Sequence, residues 1–370
     1  METSASPRGR GRVLSFVAST VLVFAACSGS GATSAPPAAS NAPSGGGSAA
    51  ATTAALPAPE QTTIRIGISA ATEPVQFAEK LADTLGYYKD NGFTNVQITS
   101  LEGDGKVVQS LIAGALDFGV IGVSSAVASV PTDTPLTVVS MNGVKLTDGF
   151  FCTANIKTAA DVKGQKVAIS TFGGTSNGSV LLSLKALGLG PSDVTITQIG
   201  NEAARIAALK AGSVGCSVVD ISEKDQMATL GFNLLSSELD SNIQWGRSGL
   251  AVTADFAQKN PNTVLDVVAA ALKAQNYMFT NNQDAIQPFS DWSQQSVADA
   301  TPQVTGFLQY GDQSMGWTDD AFTIPRDTLA TVNPAVKDVD VTKAYDKSFL
   351  QQLWDMGYYQ QINDPQQPFK

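Results

Sequence analysis

The 370-residue chain contains no histidine. Its absence removes the commonest general base at neutral pH, the commonest zinc ligand and every Ser-His or Cys-His nucleophile pair. Gly122-Val123-Ser124-Ser125-Ala126 has the loose outline of a nucleophile elbow, but nothing could activate its serine. No catalytic residue, metal or cofactor is therefore expected. The remaining groups suit non-covalent binding. Thr171-Phe172-Gly173-Gly174-Thr175-Ser176-Asn177 precedes an expected helix over Val180 to Leu187. Free N–H groups and the helix dipole make such a start a seat for an anion, and adjacent glycines let a ligand approach the backbone. Gly103-Asp104-Gly105-Lys106 is the equivalent helix start earlier in the chain, where plain capping by Asp104 competes more strongly. Ser69, Ser124 and Ser125 supply hydroxyls to an oxyanion or a polar ring, or else satisfy turn backbone. Phe172 and Trp245 could stack on a planar ligand or pack in the core. Asp220 could accept from an amine or a ring N–H, while Glu202 and Arg205 either face the same site or form a solvated pair. The cations that could meet a ligand are few (Lys106, Lys145, Arg205 and Arg247), so a multiply charged anion is not expected.

The elements that must hold these groups alternate between strand and helix. Ile64-Arg65-Ile66-Gly67-Ile68-Ser69 is apolar at every second position, as a strand should be. A helical stretch from about Val75 to Lys89 follows, then a strand over Phe93 to Leu101. Asp104 opens a helix with Val107, Val108, Leu111 and Ile112 on one face, Gly114 ends it, and Phe118-Gly119-Val120-Ile121 is a third strand. The programme then repeats. Val167-Ala168-Ile169-Ser170 answers Ile66-Gly67-Ile68-Ser69, and the segments at Val96, Ala113 and Phe118 each have a counterpart 98 positions later, at Val194, Ala211 and Cys216. A duplicated β-α-β-α-β lobe explains that order. Such alternation predicts parallel sheets covered by helices, with ligands bound beyond the carboxyl ends of the strands. That rim holds Ser69, Ser170, Gly122 to Ser125 and Asp220 to Ser222, and two facing rims make a cleft.

The N-terminus has a different character. Arg8, Arg10 and Arg12 precede the apolar run Val13 to Ala26, which is too short for a good membrane span. It ends in Phe24-Ala25-Ala26-Cys27, which resembles a lipobox, with Phe24 where leucine is usual. Residues 1–26 thus read as a lipoprotein signal peptide and Cys27 as the lipidated residue, an ordinary signal peptide being the alternative. Adjacent arginines for twin-arginine export are missing. Residues 27–62 are mostly Ala, Ser, Gly, Pro and Thr, and cannot bury enough surface to offset ordering entropy. A flexible tether with a reach on the order of 30 Å is expected. Cys152 and Cys216 remain for an oxidising compartment, either bridged or as two buried thiols.

Leu85-Gly86-Tyr87-Tyr88-Lys89-Asp90-Asn91-Gly92 resembles the "LGYF-x-x-x-G" segment of the nitrate/sulfonate/taurine and thiamine-pyrimidine-precursor solute-binding proteins of ABC importers. Ala113-Gly114 with Asp117-Phe118-Gly119 resembles their "AG-x-x-D-F-G", Asp161 to Ala168 their "DLKGKKVA", and Arg205 to Gly212 their "R-x-AALKAG". Ser348-Phe349-Leu350 through Gly357 is similar to the closing "SFL-x-x-L-x-x-x-G" helix. Each motif is short, and their order is the specific feature. The resemblance implies an α/β, type II periplasmic-binding-protein fold with two β-α-β lobes, a hinge, a cleft and a helical C-terminal tail. Lobe 1 would hold residues 63–147 and 250–370, and lobe 2 residues 148–249. Hinge strands would lie near Gly149 to Thr153 and Gly249 to Thr253, and Val264, Leu265, Val268, Ala269 and Leu272 would pack the tail on lobe 1.

The implied function is capture of a small polar or anionic solute (a sulfonate, nitrate, or a pyrimidine-like compound) for an ABC permease. The protein would be a monomer, lipid-anchored outside the cytoplasmic membrane. A sensor for a membrane partner and an enzyme on the same fold are the alternatives, and the histidine that the related fungal pyrimidine synthases use as a reactant is missing here. Composition agrees with an exported binder: 43% hydrophobic and 15% charged residues give a globular chain long enough for two cores. A net charge of −10 without a dense Lys/Arg run excludes a nucleic-acid footprint.

Overall fold

Ten strands form two five-stranded sheets in the computed structural model, which describes residues 55–370 apart from Asp240, Asn242, Pro365 and Lys370. The signal peptide, Cys27 and the tether as far as residue 54 lie outside the described residues. In chain order the strands are β1 (Thr63–Ile68), β2 (Asn95–Ser100), β3 (Phe118–Ile121), β4 (Leu136–Lys145) and β5 (Asp148–Cys152). There follow β6 (Lys166–Ile169), β7 (Thr195–Gln198), β8 (Cys216–Asp220), β9 (Asn233–Ser237) and β10 (Gln244–Thr253). One sheet has the order β2-β1-β3-β10-β4 and the other β7-β6-β8-β5-β9. In each, the first three strands are parallel and the fourth is antiparallel to both its neighbours. The sheets match strand for strand, with β5 in the place of β10 and β9 in the place of β4. The sequence repeat is a repeat of lobes.

Two expectations need correcting. Strand–helix alternation predicts wholly parallel sheets, yet β10 and β5 run against their neighbours. Each arrives from the other lobe, so it starts at the cleft and runs away from the edge where the parallel strands end. The hinge is also displaced. The chain crosses over Leu146-Thr147 and returns between the end of β9 at Ser237 and the start of β10 at Gln244, whereas Gly149 to Cys152 and Gly249 to Thr253 lie inside β5 and β10. The apolar residues of those stretches (Phe150, Phe151 and Leu250 to Val252) are buried as central strands require, so the first sheet resumes at Gln244 and not at residue 250.

The larger core surrounds the first sheet. Ile64, Ile66 and Ile68 are fully buried there, and the helix Pro261–Thr280 packs on it with Val264, Leu265, Val268, Ala269 and Leu272. That helix also reaches back to residues assigned to the tether. Glu60 accepts from the N–H groups of Asn262 (2.9 Å) and Thr263 (2.6 Å), and Leu56 packs against the core. A carboxylate at a helix start satisfies orphan N–H groups and faces the positive dipole end. The ordered body therefore begins before Thr63.

The second lobe has its own smaller cores, one including Phe150, Val167, Ile169, Val180, Leu184 and Val218. Cys152 and Cys216 face each other across β5 and β8 inside it and form a disulfide. The bridge joins residues 64 apart in sequence. Loop closure of this size is worth on the order of 4 kcal/mol. Replacing both cysteines by alanine should lower the unfolding free energy by about 2–4 kcal/mol in a denaturant titration. Mild reductant should leave the folded bridge intact, because both residues are fully buried.

Candidate functional site

A cavity of about 50 Å³ lies between the lobes, at the carboxyl ends of their parallel strands. Ser69, Glu73, Gln76, Gly103 and Asp104 line it from the first lobe, and Asp148, Ser170, Thr175, Ser176, Asn201, Glu202 and Arg205 from the second. Arg247, on β10, completes the wall. Its side chain is 7% exposed, and its guanidinium donates to Asp220 Oδ2 at 2.7 Å, to Thr147 Oγ1, and to Glu73 Oε2 at 3.3 Å. Thr175 Oγ1 of the second lobe donates to the Arg247 carbonyl at 3.0 Å. One residue thus ties both lobes to the crossing.

Carboxylates dominate the lining. Glu202 Oε2 accepts the N–H of Asp220 at 2.9 Å and lies 3.6 Å from Arg205 Nη2. Arg205 turns inward, donating to the carbonyls of Val218 (3.3 and 3.2 Å) and Gly200 (3.1 Å), so this is not a solvated pair. Asp104 Oδ2 accepts from Gly122 N–H at 3.0 Å and Ser125 Oγ at 3.2 Å. The helix cap there is Gly103, with Asp104 as the first helical residue. Asp148 accepts from Ser179 Oγ. Burial pushes the Glu202 carboxyl up to about 8, with repulsion from Glu73 and Asp220 adding to it. Burial also raises Glu73, in spite of Arg247, and Asp104. Burial works against Asp220 too, but Arg247 and the hydroxyls of Thr147 and Ser222 hold it below the usual carboxylate range.

Of the residues expected at the site, Ser69, Gly103, Thr175 and Ser176 line the cavity. Ser69 spends its hydroxyl on Gln76 Oε1 at 2.9 Å. The helix expected from Val180 begins at Thr175, which brings Thr175 and Ser176 into its first turn. Thr171, Gly173 and Gly174 stand before that helix and outside the lining, and Thr171 Oγ1 lies 3.0 Å from the position of a Cβ on Gly105. Ser125 supports Asp104 from behind, and the Ser124 hydroxyl is buried without a partner. Phe172 is 60% exposed on the surface, away from the lining. Asp220 faces a wider groove on the other side of Arg247. Trp245 is not at the site: its indole is fully buried, packed against Gly178. Stacking on a planar solute is therefore not available to it.

Glu73, Gln76, Asp148 and Asn201 were not expected. Asn201 had a signal, since its side chain accepts from Ala204 N–H at 2.9 Å and caps the helix Glu202–Lys210. Asp148 had none under a rule that reads carboxyl ends, because it starts an antiparallel strand.

Residues 77–285 match the family model described as "NMT1/THI5 like". The chain belongs to the NMT1/THI5-like family. No curated protein is matched by the sequence. Among solved structures, this NMT1/THI5-like chain is similar to the alkanesulfonate-binding protein SsuA from Xanthomonas axonopodis pv. citri bound to MOPS. The two are 19% identical with a TM-score of 0.64, over 80% of this chain and 100% of that one. The periplasmic nitrate-binding protein NrtA from Synechocystis PCC 6803 is similar at 18% identity and TM-score 0.63, over 84% and 91%. The desulfurization enzyme DSZB is also similar, at 16% identity and TM-score 0.57, over 79% and 99%. Such likeness carries the two-lobed type II fold.

In this family member the fit of the lobes is tight enough to test. A Cβ on Gly122 would collide with Thr175 Oγ1 of the opposite lobe and stand 3.0 Å from Asp104 Oδ2. The φ of −67° at Gly122 suits alanine, so Gly122→Ala should leave each lobe folded while holding them apart. Solute affinity should drop by about tenfold or more, because the closed state becomes the rarer one. The melting temperature without solute should change little.

Proposed function

We propose that this chain is an extracytoplasmic solute-binding lipoprotein that closes two lobes around a small polar solute and delivers it to an ABC importer. The observation that carries this reading is the cavity lined by both lobes at their strand ends, with Arg247 of its wall paired to Asp220 of the second lobe beside it. Ligand contacts made with both lobes favour the shut state, and no bond need be made or broken. The neighbours named for alkanesulfonate and nitrate binding support solute capture. The enzyme among the neighbours shares the fold, but a chain without histidine has no evident base for its serines.

Of the two solute chemistries implied by the resemblance, the lining favours the nitrogen-rich, pyrimidine-like one over nitrate or a sulfonate. Glu73, Asp104, Asp148 and Glu202 offer acceptors where a sulfonate would need donors. The first turn at Thr175 and Ser176 remains the natural seat for any oxygen of the solute. Ser69 and Gly103 would flank it, with Thr171, Gly173 and Gly174 as the closing lip.

Cys27 would carry the lipid, with the tether leaving the body free to meet a permease as a monomer. Cys27→Ser should move the protein from the membrane fraction to the medium or periplasm, as read by fractionation and loss of lipid labelling. Native mass spectrometry of freshly purified protein should show a co-purified small molecule. Deletion should abolish uptake of that molecule, whereas a sensor would leave uptake intact and silence a response.

A further inference from the structure

The cavity between the lobes has four carboxyl groups on its wall, Glu73, Asp104, Asp148 and Glu202, against the guanidinium groups of Arg205 and Arg247. The wider groove beyond Arg247, about 610 Å³, is also acidic: Asp220, Glu223, Asp225 and Asp299 join Glu73 and Glu202, with only Lys210 added to Arg247. Both arginines are already engaged. Arg247 is held between Asp220 and Glu73, and Arg205 donates to two carbonyls beside Glu202. Neither presents a free fork to an oxyanion. Asp104 and Asp148 have no cation within ion-pair distance among the described residues; an N–H and hydroxyls are their partners. Even with Glu202 protonated, Glu73, Asp104 and Asp148 face the two arginines, and Asp220 already pairs with Arg247, so an anion entering here adds to a surplus of its own sign where water screens poorly. A cation removes that surplus.

Resting on the solute-capture reading, we propose that the captured solute carries a protonated nitrogen, an amine or amidinium, seated among Asp148, Asp104, Glu73 and Glu202. The site itself follows from a cavity lined by both lobes, and the charge balance names what it takes. The cavity, at about 50 Å³, holds a head group of a few non-hydrogen atoms, since one water needs roughly 10–15 Å³ on the same measure. It shares Glu73, Glu202 and Arg247 with the wider groove, which has room for a longer body.

Capture should also release protons. Glu202 is faced by Glu73 from the loop after β1, Asp220 from β8, Arg205 from its own helix and Arg247 from β10, and burial holds it at about 8. At neutral pH the free protein keeps a proton there, and a cation favours the ionised form. Affinity therefore rises with pH up to about 8 and then levels.

The test uses the mature chain with two sets of probes: acetamidinium, methylguanidinium and agmatine against nitrate, ethanesulfonate and uncharged cytosine. Thermal shift finds binders, and calorimetry in two buffers of different ionisation heat counts the protons. We expect a cation to raise the melting temperature, to bind tighter at pH 8 than at pH 6, and to release protons. Asp148→Asn and Asp104→Asn should each weaken it by about tenfold or more. If either variant fails to fold, the proton count and pH dependence on the wild type still decide. Stabilisation by nitrate, ethanesulfonate or cytosine but by no cation overturns the proposal and leaves solute capture standing. Cation binding indifferent to pH and to both variants overturns it as well. If no probe stabilises the protein and no small molecule co-purifies, solute capture falls, and this proposal with it.

Discussion

A single buried guanidinium governs how the two lobes meet. Arg247 sits on the strand that returns from the second lobe into the first sheet, and its charge is offset by Asp220 from one lobe and Glu73 from the other. Removing the guanidinium would leave buried carboxylates uncompensated, which typically costs several kcal/mol. A pair of this kind adds little net stability over a well-packed apolar contact, but it defines a geometry. Thr147, at the other crossing, binds both Arg247 and Asp220, so hinge, strand and second lobe share one network.

The apolar cores do not bridge the cleft in the same way. The large core belongs to the first sheet and its helices, and the smaller ones lie wholly within the second lobe. The contacts between the lobes include polar ones, Thr175 to the Arg247 carbonyl and Gln303 to Glu223 at 2.7 Å, beside the Trp245 ring against Gly178. A solute that touches both rims needs only modest energy to tip such a balance.

Local periodicity explains which parts were legible in the sequence. The alternating apolar residues of β1 and the repeated ends at Gly114 and Gly212 (φ 68° and 65°) were readable because a few neighbouring residues encode them. The pairing of β10 between β3 and β4 was not, since no local pattern says which sheet a buried apolar run joins. The wall residue Asp148 escaped for the same reason. Trp245 shows the converse: its aromatic ring could stack on a ligand or pack in the core, and Gly178 leaves space for it in the interior. Glu60 was hidden in low-complexity surroundings, and only its distant partners Asn262 and Thr263 reveal its role.

The position of β10 has a consequence for how the chain assembles itself. A polypeptide emerging N-terminus first offers β1 to β4 before anything else, yet their sheet lacks the strand that separates β3 from β4. The strands of the other sheet, β5 to β9, are contiguous in sequence and can be completed, with the Cys152–Cys216 bridge, while the first sheet still waits. The later-encoded lobe is thus the first that can finish. Until β10 arrives, β3 and β4 present unpaired edges, the kind that invites pairing with another chain. Folding would then be limited by the completion of the first lobe after the second has finished.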